Sequence, residues 1–448
     1  MKVFQAYRYE LDTNNVQNNL LLQHAGCARF AYNWGLNIKQ QAYQKTKKSP
    51  NAIQLHKTLN ALKKSKFPWM YEVSKCAPQE ALRNLDKAYQ NFFRRVKNGE
   101  KPGFPKFKKK GIRDSFRLTG SVNVGDATHI KIPRIGVVKT KELTVKFKGK
   151  ILSTTITRET DRWYIALQVE VERDVQPPSG TAELPYRQFG PVIGIDSNTG
   201  ELVLFDGENE RRIKLPKPLT KLLALLQKRS KAHSKKAKGS KNRKKSAIAL
   251  SRLHRKIKNI RQDFFHKLST ELAKTTLAVG IESLCIKGMI RQPYLSRSIA
   301  DAGWWILFRM LEYKSKWYGS ILIEIPQNFP STKMCHKCKH VVGEMPLGKR
   351  IFTCHVCSLV IDRDLNAAIN IRNYAAEQLN QTGGEEVALS SPYGDCAIPK
   401  EKGIRKGTCF SMGIKIPNTA SSAEINACGE AVQQGSSTKQ EESALVTR

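Results

Sequence analysis

Cys335-His-Lys-Cys338 and Cys354-His-Val-Cys357, followed closely by Ile361-Asp-Arg-Asp-Leu-Asn-Ala-Ala-Ile-Asn370, decide how this chain is read. Two C-x2-C pairs separated by 15 residues have the spacing of a four-thiolate zinc site. Four sulfurs complete a tetrahedral zinc and leave no position open, so one zinc ion is expected here in a structural role. Lys337, Lys339, His340, Lys349 and Arg350 decorate this finger, which suits phosphate contact or an ordinary solvated surface. Behind it, Asp362 and Asp364 open what reads as a helix. Those carboxylates suit either a helix cap or a catalytic metal.

The rest of the composition sets the context. The chain has 448 residues, 40% of them hydrophobic, enough for two or three domains with a sizeable core. No apolar run approaches the roughly 18–20 residues of a membrane span, and the N-terminus lacks a signal peptide's apolar centre. A cytoplasmic location follows, where paired C-x2-C motifs bind metal rather than form disulfides. Net charge is +39, from 77 Lys and Arg against 38 Asp and Glu. Such an excess repels itself unless a polyanion screens it. Nucleic acid is the expected partner; an anionic membrane surface is the rival, and no lipidation motif or membrane-seeking helix supports it.

Along the chain, residues 1–10 alternate as a strand. From Asn15 to Asn98 the apolar residues recur at helical spacing, as in Leu82, Leu85, Tyr89, Phe92 and Phe93. Pro102 and Pro105 break this pattern. Lys106, Phe107 and Lys108, with Phe104, then resemble a loop that tracks a phosphate backbone and stacks on bases, or a linker pinned by its aromatics. Residues 115–175 read as short strands with period two, which predicts a small β-barrel completed by the first strand, with the helical block inserted. A linker is predicted over 176–190. Next come the strand Pro191-Val-Ile-Gly-Ile-Asp196 and a hairpin partner over 202–207. Arg211 to Gln262 holds twenty Lys and Arg and no acid. Its flanks read as helix, and Lys235, Lys236, Arg243, Lys244 and Arg255 are candidate nucleic-acid contacts. The strand Leu277-Ala-Val-Gly-Ile-Glu282, a helix through Trp304 and Leu311, and the strand Ile321-Leu-Ile-Glu-Ile325 follow. Residues 382–448 lose periodicity and read as disordered, with Cys396, Cys409 and Cys428 scattered there. Cys27, Cys76 and Cys285 read as buried small hydrophobes.

Asp196 ends one strand, Glu282 ends another, and Asp364 opens the helix behind the finger. Any one of them alone is more simply a cap or turn residue. Together, in a basic α/β chain, they suit phosphodiester hydrolysis. That reaction uses two divalent cations about 3.5–4 Å apart, and magnesium is content with a few carboxylates on rigid elements. Strand-end carboxylates meet at the edge of an open α/β sheet, where such folds place ligands.

These residues resemble the TnpB family of insertion-sequence nucleases. Ile193-Gly-Ile-Asp196, Val279-Gly-Ile-Glu-Ser-Leu-Cys-Ile-Lys-Gly-Met289 and the finger followed by Asp362-Arg-Asp-Leu-Asn-Ala-Ala-Ile-Asn370 look like its three RuvC motifs. Ala28-Arg-Phe-Ala-Tyr-Asn-Trp34, Pro105-Lys-Phe-Lys108 and Asp263-Phe-Phe-His-Lys267 look like the family too, so that the likeness covers about residues 1–375. The resemblance implies an α+β multidomain fold. A wedge β-barrel (1–14 and 111–180) would carry a helical recognition insertion (15–110). An RNase H-like RuvC domain (190–330 and 359–381) would carry a four-cysteine zinc finger (331–358), with a disordered tail from 382 onward.

The resemblance also implies an RNA-guided, magnesium-dependent DNA endonuclease of a transposable element, with guide RNA and double-stranded target DNA as partners. Asp196, Glu282 and Asp364 match the family's metal-binding triad, Asp362 suits a helix cap, and Arg363 suits DNA contact or charge balance. Two departures stand out. Lys339 and Ser358 occupy positions where a left-handed knuckle turn favours glycine. Ser197-Asn198 stands where glycine usually follows the first aspartate. The rival readings are a compact type V CRISPR effector, a nuclease-dead RNA-guided repressor and a strand-transferring transposase.

Overall fold

The alternation at the N-terminus forms β1 (Lys2–Asp12), and the helical block divides into α1 (Asn15–Thr46), α2 (Ala52–Ser65) and α3 (Cys76–Lys97). Asn14 and Asn51 cap α1 and α2 through reciprocal bonds with Gln17 and Gln54, so each helix starts where an Asn-x-x-Gln box stands. Lys47, in the left-handed region at φ 55°, ends α1. Gly35 lets α1 approach α3, since a Cβ there would meet Leu82 at 2.6 Å.

Six further strands follow: β2 (Ser115–Thr119), β3 (Asn123–Val124), β4 (His129–Ile132), β5 (Gly136–Thr140), β6 (Lys150–Glu159) and β7 (Arg162–Glu172). With β1 they form an antiparallel sheet in the order β2-β6-β7-β1-β5-β4-β3. β1 lies centrally, paired with β7 from Lys2↔Glu172 to Leu11↔Trp163 and with β5 at its far end. The sheet's two edges, β2 and β3, are neighbours in sequence. β2 ends at Thr119, Gly120 follows it in left-handed backbone (φ 73°), and β3 begins at Asn123, so the strands at the two edges stand next to each other in the chain. Tyr9, Leu11, Phe116, Ile130, Ile156 and Trp163 pack into a single core with Leu21, Leu36, Leu59, Leu82 and Leu85 of the helices.

The second half is built on β8 (Val192–Ser197), β9 (Glu201–Phe205) and β10 (Glu210–Lys214). Then come α4 (Pro218–Ser234), α5 (Lys241–Thr275), β11 (Ala278–Glu282), α6 (Ile286–Met289), α7 (Ser296–Ala302), α8 (Trp304–Tyr318) and β12 (Ile321–Ile325). The hairpin β13 (Ile351–Thr353) and β14 (Val360–Asp362) and the helix α9 (Arg363–Gln381) complete it. The sheet order is β10-β9-β8-β11-β12, antiparallel through β8 and parallel from β8 to β12. Alternation sorts the two faces. Ile195, Val279, Ile281 and Leu322 pack against Phe265, Leu268, Leu307 and Leu311 of α5 and α8. Val192, Ala278, Ile321 and Ile323 pack against Ala375 and Leu379 of α9.

The halves are joined by ion pairs. Asp161, in the β6–β7 turn, holds Arg252 at 2.7 Å and Arg255 at 3.0 Å on α5, and Glu159, itself paired with Arg8 of β1 at 2.8 Å, holds Lys258 of α5 at 3.2 Å.

The computed structural model describes residues 2–111, 114–120, 122–146, 149–172, 191–346 and 348–381. The expected linker at 176–190, the expected disordered tail from 382, and Cys396, Cys409 and Cys428 lie outside the described residues. Cys27 is buried, whereas Cys76 and Cys285 are only partly so. Among the described residues no helix is long and apolar enough to cross a membrane.

Candidate active site and four-cysteine finger

The parallel pairing of β8 with β11 sets Gly194 opposite Gly280. Asp196 and Glu282 each lie two residues further on, so both point to the same face of the sheet as the glycines. That face is covered by α9. A Cβ on Gly194 would stand 2.2 Å from the Ala368 carbonyl oxygen and one on Gly280 3.0 Å from that of Ile371, so the helix rests directly on bare backbone. The first turn of α9 carries Asp364, 6% exposed, to the same end of the sheet as Asp196, 7% exposed.

The electrostatics record this convergence. Burial, then the charges of Glu282 and Asp364, push the Asp196 carboxyl well above the usual carboxylate range, against the opposing Arg363 charge. Burial also raises Glu282, with Asp364 adding to it, while a hydrogen bond from Ser331 works the other way. Two neutral donors steady the pair: Asn198 Nδ2 reaches Asp196 Oδ2 at 3.1 Å, and Ser331 Oγ reaches Glu282 Oε1 at 2.8 Å. Both donors were missed in the sequence. Asn198 stands at one of the departures noted above, and its amide does what glycine cannot.

Asp362 and Asp364 are placed differently. Asp362 Oδ1 accepts the N–H groups of Asp364 and Leu365, each at 3.0 Å, and pairs with Arg212 at 2.9 Å. Partial burial would raise its carboxyl, but these N–H groups and the Arg212 guanidinium outweigh it and hold the carboxyl low. This is a helix cap. Asp364 Oδ1 accepts from Arg363 at 3.1 Å and its Oδ2 from Arg350 of the finger at 3.2 Å.

Two buried carboxylates, Asp196 and Asp364, and the partly buried Glu282 offer only oxygen ligands and fit a hard divalent cation such as magnesium. The three are more loosely spread than the cysteines. Among the described residues, Cys335, Cys338, Cys354 and Cys357 are the one set of three or more ligating groups whose ligand atoms all lie within 4.8 Å.

That set fits zinc. Tetrahedral zinc with Zn–S near 2.3 Å needs sulfurs about 3.8 Å apart. Cys335 and Cys357 are separated by 3.6 Å, and Cys338 and Cys354 by 3.4 Å. The thiols act on one another: Cys354 is drawn down to about 6, chiefly by the backbone N–H of Cys357, while Cys338 and Cys357, against the backbone N–H groups of His340 and Leu359, are pushed up by desolvation and their sulfur neighbours, as expected of four thiols crowded at one point. Lys339 and Ser358 both adopt left-handed backbone, at φ 62° and 55°, so the knuckle turns form without glycine. Phe352 fills the finger's small core with Val342, Leu359 and Ile361. The β13–β14 hairpin carries the finger as far as Asp362, past the boundary expected at Ser358.

The candidate nucleic-acid contacts divide by environment. Lys106, Phe107, Lys235 and Lys244 are exposed and Lys236 is partly so. The Lys108 ammonium stands 4.1 Å over the Tyr32 ring. Phe104 packs edge-on against Tyr89 and Phe92, which pins the 101–111 loop to α3. Three of the expected contacts have their guanidinium groups engaged within the chain, and for Arg363 the partner is the one that charge balance called for. Arg243 donates to the carbonyls of His233 and Lys236, Arg255 pairs with Asp161, and Arg363 is buried against Asp364. The acid-free stretch also begins with an unexpected strand, β10, before the α4–α5 helical hairpin, whose first turn is held by Asp301 through Leu219 and Thr220.

Fold and site together define a multidomain mixed α/β protein with an acid-bearing sheet end and a four-cysteine cluster suited to metal. Residues 166–292 match a family profile described as "Probable transposase", residues 304–371 one described as the Cas12f1-like TNB domain, and residues 1–48 one described as a helix-turn-helix domain. A Streptomyces pristinaespiralis protein named "Putative RNA-guided DNA endonuclease" is 34% identical over 381 residues, covering 83% of this chain and 89% of that protein. Proteins of the same description in Mycobacterium tuberculosis and Escherichia coli are 32% and 29% identical, covering 86% and 92% of their own lengths and 83% of this chain. The chain belongs to the TnpB family.

Proposed function

We propose that the chain is the RNA-guided DNA endonuclease of a transposable element, cutting target DNA at the acidic end of the five-stranded sheet. The observation that carries this reading is the convergence of Asp196, Glu282 and Asp364, where burial and then the charges of Glu282 and Asp364 raise the Asp196 carboxyl, in a chain 34% identical to a relative of that description. A net charge of +39 suits a protein that must neutralise both an RNA and a DNA duplex.

The three carboxylates would hold two magnesium ions, with Asp362 left as the cap. Bound there, the metal would activate water and stabilise the leaving oxygen. The chain's own work is positional. Asn198 and Ser331 hold the carboxylates of Asp196 and Glu282, Arg363 balances the charge of Asp364, and the finger, with one structural zinc, brings Arg350 to the rim. In this reading the N-terminal sheet is the wedge barrel, α1–α3 the recognition insertion, and the five-stranded sheet with α9 the RuvC domain. The protein works in the cytoplasm.

The transposase description of the matching family favours a second reading, strand transfer, which would leave joined rather than free DNA ends. To test the proposal, RNA is extracted from the purified protein, and DNA cleavage is compared before and after ribonuclease treatment. Bound RNA of defined sequence, with free DNA ends whose formation stops on ribonuclease treatment, is expected. Joined products, or cutting that survives ribonuclease, would contradict it.

A further inference from the structure

Ser331 lies between β12 and the first cysteine pair and is 5% exposed. Its hydroxyl donates to Glu282 Oε1 at 2.8 Å. A glutamate at a strand end has several rotamers to choose from, and without such a partner it must be ordered anew each time a cation binds. The position of Ser331 is itself fixed from α9. Asn370, fully buried, donates through Nδ2 to the carbonyls of Ser331 at 2.8 Å and Met334 at 2.6 Å. Asn366, one helical turn earlier, donates to the same Met334 carbonyl at 2.8 Å and accepts the His336 N–H at 3.1 Å. The helix that presents Asp364 in its first turn therefore also grips, through Asn366 and Asn370, the segment that orients Glu282. That segment leads straight into Cys335.

We propose that Ser331 is a positioning residue that holds Glu282 in its cation-binding rotamer, and that Asn370 locks Ser331 in place, coupling the root of the finger to the sheet end. This rests on the reading of Glu282 as a metal-holding carboxylate. Partners of this kind, one bond removed from a metal, change metal affinity by about 10–100-fold when lost.

The test uses the full protein–RNA complex and compares wild type with Ser331→Ala, Ser331→Thr and Glu282→Gln. One readout is the magnesium concentration giving half-maximal cleavage of matched DNA, set against the maximal rate. The second is independent of cleavage activity: iron(II) with peroxide cuts the polypeptide backbone next to a bound metal, and fragments ending near residues 196, 282 and 364 report local occupancy. Ser331→Ala is expected to raise both half-saturating metal concentrations about tenfold, with zinc content and affinity for matched DNA unchanged. Ser331→Thr, which keeps the hydroxyl, is expected to restore most of the loss. Unchanged metal dependence in Ser331→Ala, an equal defect in Ser331→Thr, or loss of zinc from Ser331→Ala would overturn the proposal. Full cleavage by Glu282→Gln would overturn the reading of the site beneath it, so the two failures are distinguishable.

Discussion

Gly194 lies directly beneath Ala368: a Cβ on the glycine would come within 2.2 Å of the Ala368 carbonyl oxygen and 2.4 Å of the Arg372 nitrogen. Backbone atoms cannot swing aside, so Gly194→Ala must lift α9 from the sheet. The cost expected is about 3 kcal/mol. Since α9 carries Asp364, cleavage should fall about 100-fold or more, as misplacement by about 1 Å commonly does. Gly280→Ala, whose nearest contacts are at 3.0 Å, should be milder. Urea unfolding and cleavage rates of the two variants check this; a wild-type rate in Gly194→Ala would contradict it.

Asp196 stores repulsion. Its folded-state carboxyl is raised by burial first and then by Glu282 and Asp364, so the folded chain disfavours its charged form. For an acid of this kind, the metal-free protein loses stability as pH rises through the unfolded value near 3.9 and on up to the raised folded value. Asp196→Asn should therefore abolish cleavage while stabilising the metal-free chain at pH 7 by about 1 kcal/mol or more. That advantage should shrink on acidification. Denaturant midpoints with and without magnesium measure it.

The clamp between the halves has the opposite sign. Partial burial would raise the carboxyls of Asp161 and Glu159, but Arg252 and Arg255 on the first, and Arg8 and Lys258 on the second, outweigh it and hold them low. Their contribution is present above the unfolded values near 4 and is lost as pH falls through the folded ones. Asp161→Asn should cost about 1 kcal/mol at pH 7, a figure kept small because Arg252 is well exposed. That cost should shrink as pH falls below the unfolded value and vanish once it has passed the lowered folded one. Unfolding measured across an acid series decides.

Lys339 and Ser358 hold left-handed backbone that side chains with a Cβ resist. Lys339→Gly with Ser358→Gly should strengthen the finger by about 0.5–1 kcal/mol, less than the full relief because glycine is freer when unfolded. Zinc release into a chelator should slow in the double variant. Faster release would mean that these side chains support the knuckles in some other way.

Much of this site is legible in the sequence, for local reasons. Cysteine spacing is a local property, and so is the alternation that puts Asp196 and Glu282 at strand ends on one face. Other features depend on partners far away in the chain. The Ser331 hydroxyl finds Glu282 across 49 residues, and Arg255 finds Asp161 across 94, so in its own neighbourhood the first reads only as a polar residue and the second as one more cation for nucleic acid. β10 was hidden because an edge strand needs little apolar alternation; Arg211, Arg212 and Lys214 read instead as the start of the acid-free run. The turn stretch at 115–124 reads as strand and glycine, but only the ladders to β6 and β4 reveal that it serves both edges of the sheet.

The central claim is that Asp196, Glu282 and Asp364 form one site that cuts DNA chosen by a bound RNA. The most direct measurement purifies the wild-type and Asp196→Ala complexes, sequences the copurified RNA, and offers each complex matched and mismatched double-stranded DNA with magnesium. The account predicts that wild type cuts only the matched DNA, and that Asp196→Ala retains the RNA and binds the same DNA but leaves it whole. Equal cutting by Asp196→Ala, or cutting by wild type that ignores the match, would contradict it.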